Sequence, residues 1–293
     1  MIKNLVFKGG GVLGIAYAGA ITEMEANGTL AGVERVAGTS AGAITACLLA
    51  LRYDAKEILD IVKSTDFKTF EDPIKPIEGF ERFGLHSGNA FMAWIKQIIV
   101  GKGYNENMTF ADLHNMGGRD LHVFASDITS GGLKRFSYAD TPNVVIAEAV
   151  RASMSIPFFF EEYNFVNSIP DNHIYVDGGA VYNYPLTSFD LVGVNPETLG
   201  LFLINLSGAK PIVKIKPGHV LAYARAVEDV VLEAQNIELA TNKEEMHRTV
   251  MIDSLGISAT NFGLSDDQKT ALYQAGRDAY LNYFKSSPLY NAA

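Results

Sequence analysis

Two rhythms of apolar and polar positions alternate along the first half of the chain. Short, unbroken apolar runs bounded by glycine or polar residues read as buried strands: NLVFK at 4–8 and VERVAG at 33–38. Longer stretches between them read as helices: residues 12–27, rich in small side chains and ending near Gly28, then AGAITACLLALRY at 41–53. A third helix, AKEILDIVKS at 55–64, keeps Ile58, Leu59, Ile61 and Val62 on one face. Residues 65–108 lose this regularity until the helix NAFMAWIKQIIV at 89–100. The strands DLHVFASDI (120–128) and LKRFSY (133–138) follow, as a hairpin around Gly131-Gly132. Next come a helix at 143–155 that stops before Pro157, a strand at 173–179 ending in a turn, and a buried strand at 199–206. From about 217 the pattern is helical, closing with a long helix over 266–284 capped by Ser265.

Strand–helix alternation of this kind predicts an α/β fold with a parallel-rich central sheet flanked by helices and a mostly helical C-terminal part. The expected division is a catalytic domain over 1–216 and a helical extension over 217–293 packed on it.

Composition narrows the function classes. Apolar residues make up 48% and charged residues 19%, so a chain of 293 residues has ample core. The formal net charge of −9, without a basic run, argues against a nucleic-acid partner. The single cysteine, Cys47, lies in an apolar helical pattern and reads as a buried hydrophobe, with no internal disulfide and no cysteine metal site. No window nears the ~18 apolar residues of a membrane span. Lys3, Lys8 and Ala16-Tyr17-Ala18 mimic a secretory signal, but the stretch between is glycine-rich and leucine-poor, and 4–8 reads as a strand. The expectation is a cytoplasmic protein, or one exported without a cleaved signal, with peripheral membrane contact.

Three glycine-framed turns carry the candidate chemistry. The first, GGGVLG, places Gly9, Gly11 and Gly14 between a strand and a helix, as a dinucleotide site does. Such a site also wants an acid at the end of the second strand, about 20 residues on; here that strand ends in Ala37-Gly38, and Glu34 is at its start. The second turn is GTSAG, in which Gly38 and Gly42 flank Ser40 between strand and helix. A sharp turn there exposes the serine oxygen, the plainer reading being a helix N-cap. An acyl-transferring serine builds an oxyanion and needs preorganised backbone N–H donors, which the unobstructed amides of Gly9, Gly10 and Gly11 can supply from the neighbouring turn. The third turn is YVDGG, where a strand delivers Asp177 to its end ahead of Gly178 and Gly179; as a plain alternative, Asp-Gly is a common surface turn.

Together these turns resemble the patatin-like phospholipase family. The resemblance covers most of residues 3–190 and includes a fourth block, Ala152-Ser153-x-x-x-Pro157, preceded by the strand and hairpin of FASDITSGG. It implies a Ser–Asp dyad without histidine. Ser40 would be the nucleophile and Asp177 the base, with an oxyanion hole at Gly9–Gly11, no cofactor and no metal. The substrate would be an acyl ester of a lipid at a membrane or micelle surface. Residues after about 217 match nothing in that pattern.

Two other readings stay open. One is an α/β-hydrolase triad, for which Ser40, Asp177 and His219 or His247 have the right chain order. The other is a scaffold that binds lipid or a partner without turnover. The paired acids of EEYNF and NKEE read as solvated faces. A final expectation concerns residues 66–102. Their load of Phe67, Phe70, Phe80, Phe83, Phe91 and Trp94, with Phe158–Phe160, suits either a mobile cover that meets lipid or core packed under a long loop.

Overall fold

A computed structural model describes residues 1–73, 84–165, 169, 172–206 and 220–286. The expected α/β architecture is present. Strands β1 (Asn4–Phe7), β2 (Arg35–Thr39), β4 (Asp120–Asp127), β8 (Thr198–Ile204) and β9 (Thr249–Asp253) run parallel, in the order β4-β2-β1-β8-β9. Strand β3 (Gly84–His86) pairs separately with β6 (Phe158–Phe160). The expected hairpin forms: β5 (Gly132–Phe136) folds back antiparallel on β4 through Gly131.

One register decides the site. Strand β5 takes one edge of β4 over Val123–Asp127. The other edge is shared end to end. Strand β2 occupies it up to the pair Thr39↔Phe124, and β7 (Tyr175–Asp177) approaches from the opposite direction as far as Asp177↔Ala125. The residues at which β2 and β7 leave the sheet, Ser40 and Asp177, are therefore brought face to face by adjacent rungs of one ladder.

Helix α1 (Ile15–Ala26) is buried along most of its length, and its small residues have a steric reason. It packs against the last helix, Asp266–Ser286, closely enough that a Cβ on Gly19 would lie 1.9 Å from the Tyr273 carbonyl oxygen. Helices α2 (Ala41–Ala50), α3 (Ala55–Ser64) and α4 (Asn89–Gly101) lie where the periodicity places them. In α3 a reciprocal capping box between Asp54 and Glu57 fixes the start. Ser265 caps the final helix as expected, accepting from the Gln268 amide.

Two features differ from the expectations. The C-terminal part is mostly helical, through α5 (Val220–Thr241) and α6 (Asp266–Ser286), but TVMID at 249–253 is a strand, which extends the central sheet beside β8. Five residues flanked by helices carry too short a pattern to separate strand from helix. The second concerns the aromatic residues of 66–102. Phe70 and Phe91 are buried, and Phe67, Phe70, Phe91 and Trp94 contact one another, with ring centroids 5.2–5.9 Å apart. Phe70 and Phe91 are core, and the partly buried Phe67 and Trp94 pack against it, which favours the packed-core reading for these four rings. Phe80 and Phe83 lie outside the described residues. Phe159 and Phe160 are buried as well.

Candidate active site

Ser40 has φ 56° and ψ −126°, a left-handed conformation that costs a non-glycine residue about 1–3 kcal/mol. The packing around it explains why the turn is held. A Cβ on Gly42 would sit 2.2 Å from the Phe7 carbonyl oxygen, and one on Gly38 would sit 2.2 Å from the Gly42 backbone. Only glycine at both positions lets α2 start this close to β1 and β2. Ser40 stands at the N-cap position of α2, but its side chain makes no capping bond. Its hydroxyl faces Met154 Sδ at 3.3 Å, and its N–H donates to Ser153 Oγ at 2.9 Å. The Ser153 hydroxyl in turn donates to Phe124 O at 2.5 Å. The serine of the ASMSIP block thus ties the elbow to β4, a role that sequence alone did not reveal.

Asp177 is anchored on both sides. Its N–H donates to Ser155 O at 2.8 Å, and its Oδ1 accepts from the Gly179 amide at 2.7 Å. Oδ2 is buried and has no hydrogen-bond partner among the described residues. Burial pushes the carboxyl up to about 6, while the Ser40 hydroxyl and the Gly179 N–H act in the opposite direction. A carboxylate of that basicity, with one free oxygen beside a serine, is suited to accept a proton near neutral pH. Activity that depends on ionised Asp177 should rise with pH through an acid limb near 6. A kcat/KM profile on a soluble ester checks this, and a limb at the ordinary carboxylate value would mean that Asp177 is not the titrating base.

The glycine loop divides its work. The Gly9 N–H is committed to Asn183 O at 2.9 Å, so Gly9 does not donate into the cavity as expected. It supplies space instead: a Cβ there would meet Asn183 Oδ1 at 2.1 Å and the Ser40 Cβ at 3.1 Å. The amides of Gly10 and Gly11 have no partner among the described residues. Gly11 needs its glycine for φ +53° and for a carbonyl, Ala259 O, that lies 2.1 Å from where a Cβ would be. That carbonyl also accepts the Val12 N–H at 3.0 Å.

These groups line one cavity of about 230 Å³. Ser40, Asp177 and Gly9–Gly11 form its polar end, while Ile156, Pro157, Phe159 and Leu232 provide apolar wall. Gly38, Gly42 and Gly178 shape the turns behind it without lining it. Leu232 from α5 and Ser258–Thr260 from the loop before α6 complete the lining, and Phe262 of that loop stacks on Phe159 at 4.8 Å. The sequence held no signal for these contacts, because each joins segments far apart in the chain. No histidine lines the cavity among the described residues. His247 lies two residues before β9, at the end of the parallel sheet opposite to the turns that hold Ser40, and His219 lies outside the described residues. No group of acids, histidines and cysteines suited to a metal ion occurs among the described residues. No described helix is long and apolar enough to cross a membrane.

A mostly parallel sheet whose glycine loop, Ser40 turn and Asp-Gly-Gly turn converge on one cavity defines an α/β fold with a candidate active site at that cavity. The family model for patatin-like phospholipases matches residues 5–190, and the chain belongs to that family. It is 31% identical over 287 residues to the uncharacterized protein YqhO of Bacillus subtilis, covering 93% of this chain and 94% of that one. It is 24% identical over 263 residues to a cUMP-AMP-activated phospholipase of Escherichia coli, covering 86% and 78%. Among solved structures, VipD from Legionella pneumophila superposes with a TM-score of 0.62 at 17% identity, over 98% of this chain and 67% of that one, a likeness of fold.

Proposed function

We propose that the protein hydrolyses acyl esters of lipids through a Ser40 acyl-enzyme, with Asp177 as the base. The observation that carries this reading is the meeting of Ser40 and Asp177 at the shared edge of β4, beside two unpartnered amides. Ser40 Oγ attacks the ester carbonyl carbon as Asp177 takes its proton. The Gly10 and Gly11 N–H groups receive the oxyanion, and the partial positive charge at the start of α2 favours it further. As the C–O bond breaks, Asp177 returns the proton to the departing alkoxide. Water then attacks the acyl-enzyme with Asp177 again accepting a proton, and the fatty acid leaves as Ser40 recovers its hydrogen.

The cavity volume, about 230 Å³, is below the ~300–1,000 Å³ usual for small-molecule sites. It suits the ester and the near end of an acyl chain against Ile156, Phe159 and Leu232, with the rest of the lipid outside at a membrane or micelle surface. The 1–216 portion supplies the reacting groups, and the segment from 217 onward closes the cavity as part of the same unit, through Leu232 and Ala259.

The test is a panel of defined phospholipids, lysophospholipids and neutral acylglycerols, with released fatty acids identified by mass. The wild type should release fatty acid from at least one class, and Ser40→Ala should release none above the uncatalysed rate. Equal release by both proteins would overturn the assignment.

A further inference from the structure

One polar side chain in the cavity has no task in the scheme above. Asn183 is 5% exposed and lines the same cavity as Ser40 and Asp177. Both of its backbone groups are engaged: its N–H donates to Gln235 Oε1 at 2.7 Å, and its carbonyl accepts from Gly9 at 2.9 Å. Its carboxamide makes no hydrogen bond to any described residue. At the wall of a cavity beside a nucleophile, that carboxamide keeps its hydrogen-bonding capacity open to a ligand.

The position of the carboxamide limits what that ligand group is. Asn183 Oδ1 lies 2.1 Å from where a Gly9 Cβ would be and 3.1 Å from where a Gly179 Cβ would be. The side chain therefore sits between the start of the glycine loop and the turn that follows Asp177. The carbonyl oxygen of a bound ester belongs further along the loop, at Gly10 and Gly11. The alkoxy oxygen must depart within reach of Asp177, which protonates it, and Asn183 borders the Asp177–Gly179 turn. Gln235 holds this arrangement from α5, since its Nε2 donates to Gly179 O at 2.9 Å while its Oε1 holds the Asn183 N–H.

We propose that Asn183 is a further substrate-contacting residue, whose side-chain N–H donates to the alkoxy oxygen of the scissile ester as the C–O bond breaks. The inference rests on the Ser–Asp reading. The contact strengthens as charge grows on that oxygen, so its loss falls on kcat more than on KM.

The experiment compares full-length wild type, Ser40→Ala, Asn183→Ala and Asn183→Asp on a soluble short-chain ester across pH, with melting temperatures alongside. Truncation to alanine preserves both backbone bonds of residue 183, so the fold should persist. Asn183→Ala should lower kcat by about 10–100-fold, the worth of one hydrogen bond to a charged group. Asn183→Asp is nearly isosteric and tests position by charge. Asp177 is the only ionisable side chain among the described cavity residues, and the Lys8 ammonium is directed to Leu203 O and the Phe202 ring. A second carboxylate beside Asp177 should therefore move the acid limb up by about one pH unit. If Asn183→Ala failed to fold, that shift in Asn183→Asp would decide alone. Loss within threefold in Asn183→Ala together with an unmoved limb in Asn183→Asp would overturn the inference while leaving an active, Ser40-dependent wild type intact. A wild type no faster than Ser40→Ala would instead remove the Ser–Asp reading, and this inference with it.

Discussion

Asp177→Asn is expected to lower kcat by about 10³–10⁴-fold while the protein stays folded, because it removes the proton acceptor and keeps the shape. The amide oxygen can still accept the Gly179 N–H that Oδ1 now accepts. The same substitution should act in the opposite direction on stability. The folded carboxyl titrates near 6, above its ordinary 3.8, because burial disfavours the charge. Between those values the native state holds a proton that the unfolded chain has released, so wild-type stability falls as pH rises through about 6. The variant lacks this penalty. Its melting temperature should exceed that of the wild type near pH 8, with the gap closing towards pH 4 (a difference of up to roughly 3 kcal/mol). Unfolding curves at the two pH values, read beside kcat, check both halves. A variant less stable than wild type at high pH would mean that the carboxylate is held by attractive partners and is a poor base.

Gly11→Ala is expected to follow Asp177→Asn in the size of its loss. The new methyl would meet the Ala259 carbonyl oxygen at 2.1 Å, in a backbone conformation with φ +53°. Backbone cannot rotate aside as a side chain can, so the glycine loop must shift and carry the Gly10 and Gly11 amides with it. Losing an oxyanion donor costs about 10²–10³-fold in kcat. Gly10→Ala is the informative control. Its methyl would meet Leu203 Cδ1 at 2.6 Å, the far end of a side chain with other rotamers. Its loss should be several-fold smaller. Steady-state kinetics on a soluble ester ranks the two, and a reversed ranking would place the oxyanion elsewhere.

The candidate site was legible in the sequence where its pattern is local. Three glycine-framed turns each lie within a few residues of a strand end, and each leaves a pattern of its own: GGG at 9–11, GTSAG around Ser40 and DGG from Asp177. The strand–helix alternation was legible for the same reason. What joins those turns is not local. The end-to-end sharing of one edge of β4 by β2 and an antiparallel β7 follows from the sheet register, which periodicity does not encode. Strand β9 was hidden among helical segments, and the wall formed by Leu232 and Ser258–Thr260 has no motif. Aromatic residues show the same limit. Phe70 and Trp94 look alike in sequence whether they meet lipid or each other, and only packing separates the two. Gly9 shows it within a single motif, since one of three adjacent glycines has its amide taken by Asn183.

The central claim is that Ser40 is the nucleophile and Asp177 the group that activates it. The most direct measurement is to react the full chain with a fluorophosphonate across pH, locate the adduct by peptide mass, and follow the rate of its formation. The account predicts one modified residue, Ser40, formed at a rate that rises through pH about 6 and is nearly abolished in Asp177→Asn. An adduct on any other serine, or one on Ser40 forming at an undiminished rate in Asp177→Asn, would contradict it.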